Sequence, residues 1–226
     1  MRHKRCQELF GIENFNKFRE FKILIIGVGG VGSYALDCLY RSGIENITII
    51  DYDRYEESNL NRQIGANGAI GRLKTERLKE LYPKIETINK KVDKEWVRDF
   101  DFNPFDIIID ACDMVDVKVE IAIKEPKKLL MSLGSAKRYD ASKIEVTNIW
   151  NTYNDPLAKK IRERLKKRNF KKKIKVVFSK EEPKTTTMGS FVGVTGSFGL
   201  FLCSEAIKMI LDKITKKRIE DESITN

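Results

Sequence analysis

Phe21-Lys22-Ile23-Leu24-Ile25-Ile26-Gly27-Val28-Gly29-Gly30-Val31-Gly32 is the stretch on which the reading of this 226-residue chain turns. An apolar run that stops at clustered glycines and reopens as a helix from about Gly30 predicts a buried strand, a tight turn and a closely packed helix. The turn presents backbone N–H groups at a helix N-terminus, where the helix dipole favours negative charge, so phosphate is its natural occupant. Glycine at 27, 29, 30 and 32 serves positive φ, close approach of a ligand and tight packing of helix on sheet. By itself the pattern also occurs in strand-to-helix turns that bind nothing.

Outward from the turn, Asn46 to Ile50 reads as a second strand ending at Asp51, followed by a polar loop over 53–67. A helical segment over 71–82, a strand near 85–90, a short helix near 95–100, a strand over 105–109 ending at Asp110 and a strand over 129–133 ending at Gly134 complete the alternation. Strands alternating with helices predict right-handed crossovers and an α/β fold: a doubly wound, Rossmann-like, mainly parallel sheet. Lys143 to Trp150 alternates apolar and polar residues, which predicts an antiparallel strand added to that sheet. Phe198, Phe201, Leu202, Ala206, Met209 and Ile210 recur at helical spacing within 189–213, and Glu205 would be costly in lipid, so this stretch reads as a closing buried helix. The expectation is one domain over 1–226: a nucleotide-binding part at 1–134, an antiparallel strand with a basic segment at 135–188, the buried helix at 189–213 and a polar tail at 214–226.

Hydrophobic residues make up 41% and charged residues 34% of the chain, the composition of a soluble globular protein. No apolar signal core follows the basic Met1–Gln7, so the expected location is cytoplasmic, without a transmembrane segment and with peripheral membrane contact left open. Cys6, Cys38, Cys112 and Cys203 form no C-x-x-C pair, which argues against a disulfide framework and against structural zinc. Cys38 and Cys203 read as small buried apolar side chains. With His3 as the one histidine, imidazole-based triads and most histidine metal sites are excluded.

Between Lys159 and Lys175 stand eleven Lys or Arg and one Glu, a local charge of +10 that equals the net charge of the whole chain. Leu157, Ile161 and Leu165 recur every four residues, predicting an amphipathic helix with Lys159, Lys160, Arg162, Arg164, Lys166 and Lys167 in solvent. Arg168, Lys171, Lys172 and Lys173 continue the strip. Such concentration points to a polyanion, and nucleic acid or membrane phosphate satisfies it equally. Aromatic residues near the strip are few (Trp150, Tyr153, Phe170, Phe178), which gives base stacking little support.

Asp51 lies at the distance from the turn where dinucleotide folds hold ribose hydroxyls, and a hydride-transfer enzyme shares that feature. Asn59, Arg62, Gln63 and Lys74 behind the second strand, with Asp113 after the fourth, instead suit a triphosphate. Arg62 and Lys74 neutralise phosphate charge, and Asp113 offers a carboxylate to Mg²⁺.

Gly27-x-Gly29-Gly30-x-Gly32, Asp51-Tyr52-Asp53, Ser58-Asn59-Leu60-Asn61-Arg62-Gln63, Gly71-x-x-Lys74 and Asp110-x-x-Asp113 together resemble the ubiquitin-activating-enzyme-like superfamily, whose members adenylate a carboxylate with ATP. The resemblance implies that Asp51 binds ribose, that Asp53, Asn59, Arg62, Gln63 and Lys74 belong to the ATP site with the turn glycines, and that Asp113 supports Mg²⁺. It also implies a homodimer in which Arg5 reaches the partner subunit's ATP, making Arg5, Arg62, Lys74 and Asp113 the catalytic set. Asn154-Asp155-Pro156-Leu157-Ala158, Val177-Phe178-Ser179-x-Glu181 and Gly189-Ser190 resemble the branch that dehydrates threonylcarbamoyladenosine in tRNA. On that resemblance the substrate is tRNA carrying threonylcarbamoyladenosine, and the basic strip at 159–173 is its contact. A cysteine desulfurase sulfur-acceptor system, engaged by some relatives, is a further candidate partner. Met114 departs from the pattern, standing where many members carry Asn. The competing expectations are adenylation of a ubiquitin-like or sulfur-carrier protein and a nucleotide-binding regulator without chemistry. Cys112, beside Asp113, reads as packing, with a thiol role as the alternative.

Overall fold

Ile23 to Ile26 and Ile107 to Ile109 offer no polar side chain to water, so strands built from them must be covered on both faces, as the inner strands of parallel sheets are. The computed structural model, which describes residues 2–225, places them side by side at the centre of a seven-stranded sheet. Its elements are α1 (Lys4–Phe10), α2 (Ile12–Lys17), β1 (Ile23–Ile26), α3 (Gly32–Arg41), β2 (Ile47–Asp51), α4 (Lys74–Leu81), β3 (Glu86–Asn89) and α5 (Lys94–Asp99). Then come β4 (Ile107–Asp110), α6 (Val115–Lys124), β5 (Leu129–Ser132), β6 (Ile144–Asn148), α7 (Pro156–Lys167), β7 (Lys175–Ser179) and α8 (Val192–Thr225).

The strand order is β3-β2-β1-β4-β5-β7-β6. All pairs are parallel except the outermost, β6 against β7, so the expected antiparallel addition is present at one edge. Ile26 is level with both Ile50 and Asp110, which brings the C-terminal ends of β1, β2 and β4 to one line. The chain leaves β1 toward β2 and returns to β4 on the other side, and in open sheets of this kind the crevice at that reversal is where ligands bind. One core packs α3 and α8 on one face, through residues such as Ile25, Leu36, Phe198 and Leu202. The other packs α5, α6 and α7 on the opposite face, through Val97, Ile121 and Ile161. Each fully buried aliphatic side chain contributes about 1.5–3 kcal/mol to these layers.

Several expectations are corrected. The helix after the glycine turn, α3, begins at Gly32, two residues beyond the expected start, because Gly30 and Val31 are spent on the turn. The closing helix does not end at 213: α8 runs to Thr225, so the expected polar tail continues the helix. Arg218 there pairs with Glu13 at 2.8 Å, which holds the extension against α2. Residue 226 lies outside the described residues. By length and composition Val192–Ser223 would cross a membrane, yet 61% of its most apolar window is buried within the protein, as a core helix requires. Phe201, expected on the packed face, is 38% exposed. Glu205 is buried and paired with Lys175 at 3.0 Å and Lys208 at 2.6 Å. Cys38 and Cys203 form a disulfide between α3 and α8, with Cα atoms 6.1 Å apart, where isolated apolar thiols were expected. Their separation of 165 residues hid the pairing, which only the packing of α3 on α8 creates.

Candidate active site

Four loops leave the aligned strand ends after β1, β2, β3 and β4 and enclose a cavity of about 530 Å³. That volume lies within the range of small-molecule sites. Gly27, Gly29, Gly30, Asp51, Asp53, Asn59, Arg62, Gln63, Lys74 and Asp113 all line it, so the residues selected from sequence converge on one place. Gly32 does not line it. A Cβ on Gly32 would collide with the Gly27 carbonyl, so its glycine lets α3 pack onto the turn. Gly27 has φ +84°, and a Cβ there would stand 2.9 Å from the Cys112 backbone nitrogen on the loop after β4. Gly29 is different: a Cβ there would meet nothing nearer than Gln63 Nε2 at 3.8 Å, leaving room beside the turn for a ligand.

The polar groups brace one another. Asp51 is buried at the end of β2, and its carboxylate accepts the Val28 N–H and the Asp53 N–H, each at 2.8 Å. It therefore locks the glycine turn against the second strand as well as facing the cavity. Lys74, the first residue of α4, is buried and its ammonium lies 2.9 Å from an Asp53 carboxylate oxygen. Arg62 donates from Nη1 to the Ser58 carbonyl at 2.6 Å and to Asn61 Oδ1 at 2.9 Å, and its stem lies against Gly30. Asn59 Oδ1 accepts the Glu56 N–H at 3.2 Å, which closes the turn that presents Arg62. Gln63 Oε1 is buried without a hydrogen-bond partner in the cavity wall, a group left over for a ligand.

Asp113 stands exposed at the rim. The Tyr52 phenol is pushed above its ordinary value, first by the neighbouring Asp53 carboxylate, then by burial, Asp113 and Asp51. That negative field suits a divalent cation. Among the described residues no three His, Cys, Asp or Glu side chains cluster as a metal cage. Mg²⁺ bound through one carboxylate and phosphate oxygens needs none.

The ThiF family profile matches residues 2–225. The chain belongs to the ThiF family. It is 30% identical over 249 aligned residues to the tRNA threonylcarbamoyladenosine dehydratase of Escherichia coli (strain K12), covering 92% of this chain and 93% of the relative. The enzyme of the same name from Bacillus subtilis (strain 168) is 32% identical over 190 residues, 79% of this chain and 74% of the relative. A crystal structure of E. coli tRNA N6-threonylcarbamoyladenosine dehydratase, TcdA, in complex with ATP superposes with a TM-score of 0.88 at 31% identity, over 95% of this chain and 96% of that one.

In this ThiF-family chain Arg5 lies elsewhere. It sits on α1 with its side chain 96% exposed, near Glu8 at 3.5 Å, and does not line the cavity of its own chain. Cys112 does line the cavity, but burial first and Asp110 second push its thiol well above the ordinary range. It stays protonated at neutral pH, which favours the packing role over the thiol role.

The basic strip divides. α7, capped by Asp155 and opened by Pro156, seats Ala158, Ile161 and Leu165 in the core, while Leu157, expected on that edge, is only half-buried. Arg164 pairs with Asp116, Arg168 with Glu120, Lys175 with Glu205, and Arg162 donates to Thr152 Oγ1. Arg164 faces solvent as expected while pairing with Asp116, and Arg162, expected in solvent, is half-buried by its bond to Thr152. Lys159, Lys160, Lys166, Lys167, Lys171, Lys172 and Lys173 remain exposed, with no acidic partner among the described residues.

Sequence reasoning missed Ser135 and Thr195 and quoted Ser190 without giving it a place in the site; the three close the cavity from the side of β5 and α8. Asn61 Nδ2 donates to the Ser190 carbonyl at 3.0 Å and ties that wall to the Arg62 turn. Isolated small hydroxyl residues carry no spacing signal, and the return of α8 over α3 brings Ser190 and Thr195 to the cavity.

Proposed function

We propose that this chain is an ATP-dependent tRNA threonylcarbamoyladenosine dehydratase. The observation that carries the reading is the extent of its similarity to enzymes of that name: it spans the nucleotide cavity and the lysine-bearing α7 alike, over 92% of the chain. In the proposed reaction the free carboxylate of the threonylcarbamoyl group attacks the α-phosphate of ATP, and pyrophosphate leaves. A nitrogen or oxygen of the same group then attacks the acyl carbon, closes the ring and expels AMP. The net change is the loss of one water from the nucleoside.

Such chemistry asks for charge stabilisation and positioning more than for a strong base, in keeping with a chain that has one histidine. The Gly29–Gly30 turn receives the phosphates, Arg62 and Lys74 offset the charge that develops on them, and Asp51 meets the ribose. Asp113 would hold Mg²⁺, which supplies further neutralisation of phosphate charge when bound. The exposed, cavity-remote position of Arg5 supports a role across a homodimer, completing the partner subunit's site. We assign the enzyme to the cytoplasm.

The deciding experiment incubates the protein with ATP, Mg²⁺ and tRNA bearing threonylcarbamoyladenosine, with nucleosides analysed by mass. Loss of one water from the modified nucleoside, dependent on ATP, is expected. Its absence alongside an active control enzyme would reject the assignment.

Seven exposed lysines without an acidic partner among the described residues supply most of the tRNA contact in this reading, beside the paired but half-exposed Arg164 and Arg168. Reversing Lys166, Lys167, Lys171 and Lys172 to Glu should lower tRNA affinity and reduce the slope of log affinity against log salt by roughly 3, at about 0.7–0.9 for each phosphate that is no longer neutralised. Filter binding across a salt series checks this, and an unchanged slope would return the strip to a solvated surface.

A further inference from the structure

Arg138 is a buried cation that serves neither the cavity nor the basic strip. Its guanidinium donates to the carbonyls of Gly134 at 2.5 Å, Ala136 at 3.2 Å, Asn154 at 2.9 Å and Glu181 at 2.8 Å. These acceptors belong to three separate loops: the one after β5, the one before α7 and the one after β7. The clasp is doubled. Glu181 accepts the N–H groups of Tyr139 at 3.2 Å and Asp140 at 2.9 Å, Asn154 Nδ2 donates to the Lys180 carbonyl at 3.1 Å, and Asp155 accepts the Gly134 N–H at 2.9 Å.

Tyr139, whose N–H is held this way, and Tyr153, the neighbour of the held Asn154, carry aromatic rings outside the protein. Tyr139, next to Arg138, is 66% exposed, and Tyr153, next to Asn154, is 50% exposed. Tyr153 stands edge-on against the buried Phe178, with centroids 5.6 Å apart and planes at 74°. The Lys184 ammonium lies 5.9 Å from the centre of the Tyr139 ring. Scattered exposed tyrosines on mobile loops would need no explanation. Here a buried charge and three loops are committed to fixing the backbone beneath two outward-facing rings. The same loops supply Ser135 to the cavity wall and, through Asp155, the cap of the lysine-bearing α7.

We propose that Tyr139 and Tyr153 form a stacking platform for unpaired RNA bases beside the nucleotide that enters the cavity, with Arg138 as the positioning residue that holds the platform. The inference rests on the tRNA reading above and adds the part of the RNA that is gripped. Single-stranded loops are read by stacking their splayed bases on aromatic side chains, whereas duplex is held through its backbone. Lysines on α7 supply the backbone contact, and the two tyrosines lie on the tied loops that also carry Ser135 of the cavity wall and the Asp155 cap of α7. The paucity of aromatic residues along the basic strip is thus met from elsewhere in the chain: Tyr139 comes from a loop the sequence does not associate with it.

The test uses the full chain with an anticodon stem–loop RNA and, separately, a duplex RNA of equal length. Tyr139→Ala and Tyr153→Ala should each weaken stem–loop binding roughly 5- to 100-fold, the range for loss of one base–aromatic stack. Duplex and ATP affinities should stay unchanged, and Tyr→Phe at either position should restore stem–loop binding. If the wild-type protein binds the stem–loop and the double Ala variant, folded and binding ATP normally, binds it equally well, the platform is overturned and the tRNA reading survives. If the wild-type protein binds no stem–loop at all, both fall together.

Discussion

Lys74→Met should slow ATP-dependent dehydration by about 10²- to 10³-fold, the cost of removing one preorganised donor from a site where charge develops, or roughly 3–4 kcal/mol of transition-state stabilisation. The methionine keeps the aliphatic stem that packs at the start of α4 and deletes only the ammonium. Asp53, the partner at 2.9 Å, is 45% exposed and regains water when the cation is gone, so little stability is lost with the charge. Single-turnover rates on modified tRNA at saturating ATP measure the effect, and thermal melting separates it from unfolding. A rate within tenfold of wild type would remove Lys74 from the catalytic set. ATP affinity should fall less than the rate, because the interaction is worth most when negative charge builds on the phosphates.

Lys118→Met should produce the largest loss of stability in this fold. Lys118 and Asp110 are both fully buried, 3.1 Å apart, at the base of the loop that carries Asp113. Lys118 also donates to the carbonyls of Ser132 at 2.8 Å and Asp110 at 3.3 Å, so one ammonium joins the ends of β4 and β5. Removing it leaves a carboxylate in the core without a counter-charge, at a cost of about 3–5 kcal/mol out of a total stability of roughly 5–15 kcal/mol. A drop in Tm of roughly 10 °C is expected for a chain of this size. The double variant Asp110→Leu with Lys118→Met should recover most of that loss, since it removes both charges and their burial penalty together. Failure of the double variant to recover would mean that the pair does more than neutralise itself.

Much of the cavity was legible residue by residue. Asp51, Arg62, Lys74 and Asp113 follow strand ends in the first half of the chain, and in a parallel sheet every such end points to the same side. Local sequence was enough there because the crossover rule does the rest. Local pattern misleads at Val115-Asp116-Val117-Lys118-Val119-Glu120-Ile121, which alternates apolar and polar residues like a strand and yet forms α6. Two parallel strands, β4 and β5, have to be joined by a crossover, and that demand overrides the two-residue period. Lys175-Val176-Val177-Phe178-Ser179 was masked by the cationic strip that runs into it. It becomes a sheet strand because β5 offers a free edge and β6 then pairs on its far side.

The glycine turn, the strand-end acids and cations and the excess of lysine near α7 are properties of consecutive residues, and for that reason the α/β class, the residues that line the cavity and the surplus of positive charge could be read before any fold was known. Long-range packing chose which of these groups are free to act. Arg162, Arg164 and Arg168 of the basic strip gained partners in Thr152, Asp116 and Glu120, while seven of its lysines gained no acidic partner among the described residues. Cys38 met Cys203, and Ser135, Ser190 and Thr195 closed the cavity, by the meeting of segments far apart in the chain. The loops that carry Tyr139 and Tyr153 were likewise tied together by the four carbonyls that Arg138 gathers. A hydrogen bond or an ion pair depends on distances of about 3 Å between groups whose separation along the chain carries no information about them, so those choices belong to the fold.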